Sequence, residues 1–153
     1  MGDRQANLEA ALAALAGIGS LQAISSFYET EPMDLPNQPW FLNCAVALET
    51  DLMPKQLLSA VQEIEQQLGR RRQKGQNKGP RTLDIDILLF GNSTIDTPTL
   101  TVPHPALHRR RFVLEPLAEI APDVRHPVFK HTMRELRDAL PASAGAVRRV
   151  PPR

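Results

Sequence analysis

The chain has few of the residues that mark several common protein classes. Its 153 residues include one cysteine, one tyrosine, one tryptophan and five phenylalanines. A single cysteine excludes an internal disulfide, so the sequence favours a reducing compartment, and we expect a cytoplasmic protein. That residue, Cys44, lies in an apolar run, where a buried and inert thiol is a better interpretation than a nucleophile.

The chain also lacks an excess of positive or negative charge, and it has no long apolar stretch. Lysine and arginine number 18 against 17 aspartates and glutamates, which leaves a net charge of +1. This balance argues against a general nucleic-acid coat and against a polybasic membrane binder. No stretch approaches the ~18 apolar residues of a membrane span. Arg4 and Glu9 interrupt the Ala- and Leu-rich start, which therefore does not resemble a signal peptide.

What the sequence does contain is a clear order of secondary-structure signals. Asp3 is a good N-cap for a first helix that ends at Gly17, and a second helix is predicted from Pro54 to Gly69. The remaining patterns predict strands at 21–30, 40–50 and 83–90, a basic loop at 70–81, and short helices near 112–120 and 131–140.

This order of helix, strand, strand, helix and strand is α+β, and it matches a split βαβ pattern without its first strand. The length suits one domain with a real core. We expect that domain to occupy residues 1–140 and to be followed by a disordered tail at residues 141–153.

The most informative segment is residues 79–91, Gly-Pro-Arg-Thr-Leu-Asp-Ile-Asp-Ile-Leu-Leu-Phe-Gly. On a strand, Asp84 and Asp86 would share a face, about 6.5–7 Å apart along the backbone. Two such carboxylates repel each other and are costly to bury without a cation. Mg²⁺ prefers carboxylate, water and phosphate oxygens, so the pair predicts metal-assisted phosphate chemistry. The alternative, two solvated acids on an edge strand, is disfavoured by the apolar residues around them.

A cationic segment precedes the two aspartates. Residues 70–81 carry six positive charges and no acid. A loop of this kind beside a metal pair suits a triphosphate, because it can close and neutralise charge during transfer. Two alternatives stay open: a solvated surface loop, and a nucleic-acid-binding module that also uses Arg109, Arg110 and Arg111 and binds with strong salt dependence.

Further candidate residues lie outside this segment. His104 has a proline on each side and could contact phosphate, although a structural role explains it equally well. Asn43 is a polar residue between apolar neighbours, where an unpaired amide is costly, so a partner or a ligand is the better explanation. Phe41 and Phe112 could belong to the core or could bind a flat ring.

Residues 79–91 closely resemble the signature of the 6-hydroxymethyl-7,8-dihydropterin pyrophosphokinases, which act in folate biosynthesis. Residues 26–30, 41–46, 63–65 and 100–105 also resemble this family, in the same order. The resemblance implies transfer of pyrophosphate from ATP to the pterin hydroxymethyl group, with release of AMP. It also implies a ferredoxin-like βαββαβ sandwich with helices packed on an antiparallel sheet. We expect two Mg²⁺ ions and a monomer that binds neither nucleic acid nor membrane.

The resemblance also implies roles for individual residues. The catalytic residues would be Arg70, Arg81, Asp84 and Asp86, of which the two aspartates would ligate the metal ions. The pterin contacts would come from Thr30, Met33, Phe41, Asn43 and Phe112. The ATP contacts would come from Gln62, Glu65, Arg70, Arg72, Arg81, Ile87, Thr101, His104 and Arg110.

The sequence departs from the family pattern at four places. Asn77 and Lys78 replace a basic residue and an aromatic, Pro105 replaces a common tyrosine, and Glu31 replaces a proline in the pterin loop. The chain also enters the pattern just after the family's first strand. We therefore expect that strand to be absent here, either because the natural protein starts upstream or because the chain is truncated. A weakly active or inactive relative is the corresponding alternative.

Overall fold

A computed structural model of the chain describes residues 2–31, 40–75 and 83–151. The chain divides into two compact units. The first unit comprises Met1–Gln22 and Leu48–Ile87, and the second comprises Ala23–Ala47 and Leu88–Arg153. Helices and antiparallel strands occur together, so the α+β class predicted from the sequence is confirmed.

Two helices form the core of the first unit. Helix α1 spans Gly2–Leu15 and helix α2 spans Pro54–Gly75, and the two pack against each other. Their buried residues, which follow the predicted helical spacing, are Ala11, Leu15, Leu57, Val61 and Ile64. Helix α1 begins at Gly2, so Asp3 lies inside the helix and the predicted N-cap is wrong.

The predicted end of the second helix is also wrong, because α2 continues through Gly69 to Gly75. A glycine inside a helix costs about 1 kcal/mol relative to alanine, but the arginines, lysine and glutamine that follow are good helix formers. Residues 70–75 therefore belong to a helix instead of a loop, and the remainder of the predicted basic loop, residues 76–81, lies outside the described residues.

Each of the two long predicted strands is broken into two short ones. Strand β1 spans Ser20–Ile24 and β2 spans Tyr28–Thr30, while β3 spans Phe41–Asn43 and β4 spans Val46–Glu49. Strand β1 pairs with β4 in a two-stranded sheet. A contact between the two interrupted segments explains the breaks: the Ser25 N–H donates to the Ala45 carbonyl at 2.9 Å, while the Ser25 Oγ accepts the Ala45 N–H at 2.8 Å. A side-chain oxygen thus replaces a ladder carbonyl.

The second unit contains a three-stranded antiparallel sheet with the order β3-β2-β7. Strand β7 spans Val147–Arg149, within the tail that the sequence predicts to be disordered. Tyr28 lies opposite both Asn43 and Arg149 in this sheet. Backbone hydrogen bonds between Glu31 and Ala146, and between Val150 and Phe27, extend the pairing at both ends. A partner strand distant in sequence orders this segment, which its own composition does not indicate.

The rest of the second unit is a short hairpin and a small helical core. Strands β5 (Ile95–Asp96) and β6 (Thr101–Val102) pair, and helices α3 (Arg111–Ile120) and α4 (Met133–Asp138) pack together. Both helices confirm predicted ones. The core consists of Leu107, Leu114, Leu117, Ala118 and Met133. Among the helices in the described part of the chain, none combines the length and the apolar character needed to cross a bilayer.

Residues 83–90 are described, and none of them belongs to a strand, so the strand predicted there is wrong. Burial nevertheless alternates, with Leu83 buried and both Asp84 and Asp86 exposed. The Ile85 N–H donates to the carboxylate of Glu65 at 2.6 Å. A side chain on α2 thus takes the place that a neighbouring strand would occupy in a ladder.

Candidate functional site

The side chain of Asn43 in the second unit is held by hydrogen bonds at both ends of its amide. The Thr30 hydroxyl donates to Asn43 Oδ1 at 2.9 Å, and Asn43 Nδ2 donates to the carbonyl oxygen of Phe112 at 2.7 Å. Strand β2 supplies Thr30, β3 supplies Asn43, and α3 supplies Phe112. Three residues that the sequence assigns to the pterin site are therefore in direct contact.

Two aromatic rings accompany this cluster. Phe41 lies opposite Thr30 in the strand pair, and 59% of its surface is exposed, which is unusual for a phenylalanine. Phe112 is partly buried, with the guanidinium of Arg110 at 5.5 Å from the centre of its ring. Four of the five predicted pterin contacts thus lie in this unit, and the fifth, Met33, lies outside the described residues.

Glu119, near the end of α3, anchors strand β2 to that helix. Its carboxylate accepts the Tyr28 hydroxyl at 2.6 Å, the Ser26 N–H at 3.0 Å and the Ser26 hydroxyl at 3.1 Å. The Arg149 guanidinium lies 3.4 Å away. Burial alone raises the pKa of Glu119, but these hydrogen bonds and Arg149 outweigh it and hold the pKa below its ordinary value. Glu119 is therefore a charged anchor for the strand that carries Thr30.

Strand β7 also contacts the segment around Trp40 and β2. The Arg148 Nε lies 3.1 Å from the Glu29 carboxylate, and the Arg148 guanidinium lies 4.2 Å from the centre of the Trp40 ring. Trp40 directly precedes Phe41 in the chain. An ion pair and a cation–π contact therefore connect β7 with both sides of the strand pair that carries Thr30 and Asn43.

Two predicted ATP contacts line a cavity of about 320 Å³ in the second unit. Thr101 and His104 contribute to its wall, together with Ile95, Asp96, His108, His126 and Phe129. The Nδ1 atom of His104 accepts the Ala106 N–H at 3.1 Å, so in the neutral ring Nε2 carries the proton and is a donor. A third predicted ATP contact, Arg110, is exposed at the start of α3.

The first unit holds the two candidate metal ligands. Asp84 and Asp86 are both exposed, and the N–H of Ile85 between them is held by Glu65. Glu65 therefore orients the backbone of the segment that carries both carboxylates. Within the described residues there is no cluster of three or more histidine, cysteine or acidic side chains that could hold a metal. Two exposed carboxylates nevertheless suit Mg²⁺, which takes most of its other ligands from water and phosphate.

The other predicted residues of the first unit are placed as follows. Gln62 is exposed on α2, three residues before Glu65, so both lie on the same side of the helix. Ile87 is partly buried. Arg70 and Arg72 belong to α2, but their side chains are outside the described part of the chain, as is the whole of Arg81.

The interpretation of Cys44 as an inert thiol agrees with the structure. The residue is partly buried between β3 and β4, and burial raises the pKa of its thiol to about 11. Since the thiolate is the reactive form, a thiol with this pKa is almost entirely protonated at neutral pH and is a poor nucleophile.

Sequence reasoning missed Glu119, Arg148 and Arg149. Their contacts join positions about a hundred residues apart, such as Glu119 with Ser26 and Arg148 with Glu29. No sequence pattern singles out Glu119, because α3 also contains the charged residues Arg111 and Glu115.

Comparison with known proteins identifies the family. The family model described as 7,8-dihydro-6-hydroxymethylpterin-pyrophosphokinase matches residues 1–122. The chain belongs to this pyrophosphokinase family. The matched region includes both aspartates, the Thr30–Asn43–Phe112 cluster and Glu119, whereas strand β7 lies beyond it.

Individual members of the pyrophosphokinase family are substantially similar to the chain. A 2-amino-4-hydroxy-6-hydroxymethyldihydropteridine pyrophosphokinase of Pseudomonas aeruginosa is 48% identical over 121 residues, which is 79% of this chain and 73% of that protein. The Bacillus subtilis protein of the same name is 46% identical over 126 residues, 81% of this chain and 74% of that protein. The folic acid synthesis protein fol1 of Schizosaccharomyces pombe is 40% identical over 144 residues, 93% of this chain but only 19% of that protein.

Proposed function

We propose that the chain transfers the pyrophosphoryl group of ATP to the hydroxymethyl group of 6-hydroxymethyl-7,8-dihydropterin, with release of AMP, as a step of folate biosynthesis. Family membership supports the reaction. The observation that carries the assignment to this chain's own residues is the Asn43 amide, held by Thr30 and Phe112 beside the exposed ring of Phe41.

The residues of the second unit suit recognition of the pterin. A pterin is a flat heterocycle with hydrogen-bond donors and acceptors along one edge. Its faces suit the rings of Phe41 and Phe112, since aromatic pairs are favourable when stacked or edge-to-face. Its polar edge suits Asn43, whose amide has one N–H and one oxygen lone pair beyond those used by its two partners in the described residues. Met33 and the backbone near Thr30 would complete the contacts.

The residues of the first unit suit the phosphates. Asp84 and Asp86 would hold Mg²⁺, in our proposal two ions, whose chemistry is to neutralise charge on the triphosphate. Glu65 keeps the peptide between the two aspartates in place through the Ile85 N–H. Arg70, Arg72 and Arg81 would add positive charge, with Arg70 and Arg81 acting at the transferred group. Gln62, Ile87, Thr101, His104 and Arg110 would bind the rest of ATP.

The reaction requires little covalent chemistry from the protein. The hydroxymethyl oxygen of the pterin attacks the β-phosphorus of ATP, and the bond from that phosphorus to the oxygen it shares with the α-phosphate breaks. AMP leaves with that oxygen, and the hydroxyl proton is lost. Catalysis then depends on in-line positioning and on neutralisation of charge, which are the tasks that the aspartates, arginines and pterin contacts would perform.

Three broader statements belong to the same proposal. We propose that the α+β elements described here belong to the ferredoxin-like βαββαβ arrangement. We also propose that the protein is cytoplasmic, because its one cysteine forms no internal disulfide. Finally, we propose that it is a monomer.

The assay that tests the proposed function mixes the purified chain with ATP, Mg²⁺ and the dihydropterin and separates the nucleotides by chromatography. Formation of AMP in equal amount to pterin diphosphate is expected. Formation of ADP would exclude pyrophosphoryl transfer, and an absence of any pterin-dependent nucleotide turnover would overturn the proposed activity for this chain.

A further inference from the structure

Helix α3 contains a proline in its interior, and this proline is four residues after Phe112. Pro116 is the sixth residue of the helix Arg111–Ile120, and its side chain is fully buried. In a regular α-helix the N–H of residue 116 would donate to the carbonyl oxygen of residue 112. Proline has no N–H, so this bond of the ladder is missing. The proline ring also crowds the same carbonyl, which favours a tilt of that carbonyl away from the helix.

The carbonyl that Pro116 leaves without a helical donor is the one that Asn43 uses. The Asn43 Nδ2 lies 2.7 Å from the Phe112 oxygen, which is a short hydrogen bond. A proline inside a helix is strongly unfavourable relative to alanine, so its presence at a fully buried position of a ten-residue helix calls for a compensating role. The contact with Asn43 provides one.

We infer that Pro116 is a positioning residue for the pterin site. By withholding an N–H from the Phe112 carbonyl, it reserves that oxygen for Asn43 and thereby fixes the orientation of the Asn43 amide. The Thr30 hydroxyl then holds the opposite end of the same amide. This inference rests on the proposed function, because it assumes that the Asn43 amide reads the polar edge of a pterin.

The first test compares substitutions at Pro116 with a substitution at the preceding residue. Pro116→Ala and Pro116→Val both supply an N–H that competes for the Phe112 carbonyl, although they differ in volume. We expect each to raise the Kd for the dihydropterin about 3- to 10-fold, the effect of one hydrogen bond, with the Kd for an ATP analogue changed less than about 2-fold. Glu115→Ala removes the ion pair with Arg111 and leaves the carbonyl unchanged, so it should preserve both affinities.

A double-mutant cycle separates positioning from general damage to the helix. If Pro116 acts through Asn43, then Pro116→Ala should change the pterin affinity less than about 2-fold when Asn43→Ala is already present. An equal penalty in both backgrounds would overturn the inference, as would a loss of affinity for pterin and nucleotide alike.

A direct readout keeps this test independent of the proposed function. The side-chain amide signals of Asn43, observed by NMR in the chain labelled with ¹⁵N-asparagine, should shift in Pro116→Ala and not in Glu115→Ala. If the unsubstituted chain does not bind the dihydropterin, the proposed function fails, and the NMR comparison alone decides whether Pro116 positions Asn43. Unchanged Asn43 signals in Pro116→Ala would overturn the inference regardless of the binding result.

Discussion

The candidate residues of the two compact units differ in their hydrogen bonds and in their exposure to solvent. In the second unit, the Asn43 amide is held at both ends by protein groups, and Glu119 and Arg148 brace the strands around it. In the first unit, Asp84 and Asp86 are exposed, and Glu65 holds the N–H of Ile85 between them. The neutral amide is thus oriented by side-chain and backbone hydrogen bonds, whereas the two carboxylates are exposed.

This difference follows from the chemistry of the proposed ligands. A neutral heterocycle is selected by hydrogen bonds whose directions must be set in advance, since an unmatched buried polar group is costly. A metal–phosphate complex is attracted by charge, which acts over longer distances, and Mg²⁺ needs only one or two protein carboxylates because it keeps several water ligands. Substitution of Asn43 should therefore affect pterin affinity, and substitution of either aspartate should affect turnover.

The largest effect is expected from the two aspartates. Asp84→Ala or Asp86→Ala should lower kcat by about 100-fold or more, because each would remove a proposed ligand of the charge-neutralising Mg²⁺. The Kd for the pterin should stay within about 2-fold of its original value, given that other residues are the proposed pterin contacts. Steady-state kinetics and calorimetry measure the two quantities. Asp51→Ala, at another exposed acid of the first unit, is the control. Undiminished turnover in either aspartate variant would refute the metal assignment.

A smaller effect, on pterin affinity instead of turnover, is expected from substitution of Asn43. Asn43→Ala should raise the Kd for the pterin about 10- to 100-fold, through loss of the amide and of its two protein hydrogen bonds. Affinity for an ATP analogue should be unchanged, as measured by calorimetry in the absence of pterin. Asn92→Ala, at an exposed turn of the same unit, provides the comparison. Equal loss of both affinities would contradict the proposed role of Asn43 as a pterin contact.

The contribution of Glu119 should be measurable as a change in the free energy of unfolding. Glu119→Ala should lower the free energy of unfolding by about 2 kcal/mol, because Tyr28 and Ser26 lose their acceptor. The pKa of Glu119 is lowered in the folded state, so the ionised group stabilises the fold above the ordinary carboxyl pKa of about 4.3. That stability is lost as the pH falls through the lowered pKa.

Urea unfolding at several pH values between neutral and acid measures this dependence. Glu119→Gln should lose less stability on acidification than the unsubstituted chain, while Glu115→Gln, one turn earlier on α3, should behave like the unsubstituted chain. If the unfolding free energies of Glu119→Gln and of the unsubstituted chain changed identically with pH, Glu119 would not be a charged anchor.

The smallest effect on activity is expected from substitution of Cys44. With a thiol pKa of about 11, it should react with a disulfide reagent at neutral pH on the order of 100-fold more slowly than in the urea-unfolded chain. The rate should rise as the pH approaches that pKa. Cys44→Ala should keep turnover within about 2-fold. Rapid labelling of the folded chain would contradict both the burial of this thiol and its interpretation as structural.

Local sequence patterns predicted the elements that depend on local chemistry. The apolar spacing in α1, α2 and α3 matches the buried faces in the structure, because a helix buries residues at a fixed period. The patterns failed where a distant partner decides the outcome. The contact of Ser25 with Ala45 interrupts one predicted strand. In the segment predicted as another strand, the Ile85 N–H donates to the Glu65 carboxylate instead of to a neighbouring strand. The tail becomes a strand because β2 is available to pair with it.

In the candidate site, too, local patterns predicted some residues, and residues with distant partners were missed. Asn43 could be recognised from sequence because a polar side chain among apolar neighbours needs a partner, and the structure supplies Thr30 and Phe112. The role of Glu119 could not be recognised, since its partner Ser26 is 93 residues away. The roles of Arg70, Arg72, Arg81 and Met33 stay predictions, because the described residues include none of their side chains.

The transfer of isotopic label from ATP tests the central claim most directly. ATP labelled at the β-phosphate is incubated with Mg²⁺, the dihydropterin and the unsubstituted chain, and the products are separated. The account predicts that the label moves to the pterin, which gains two phosphoryl groups in one step, and that the AMP formed is unlabelled. Label retained in ADP, or a pterin carrying a single phosphoryl group, would contradict it.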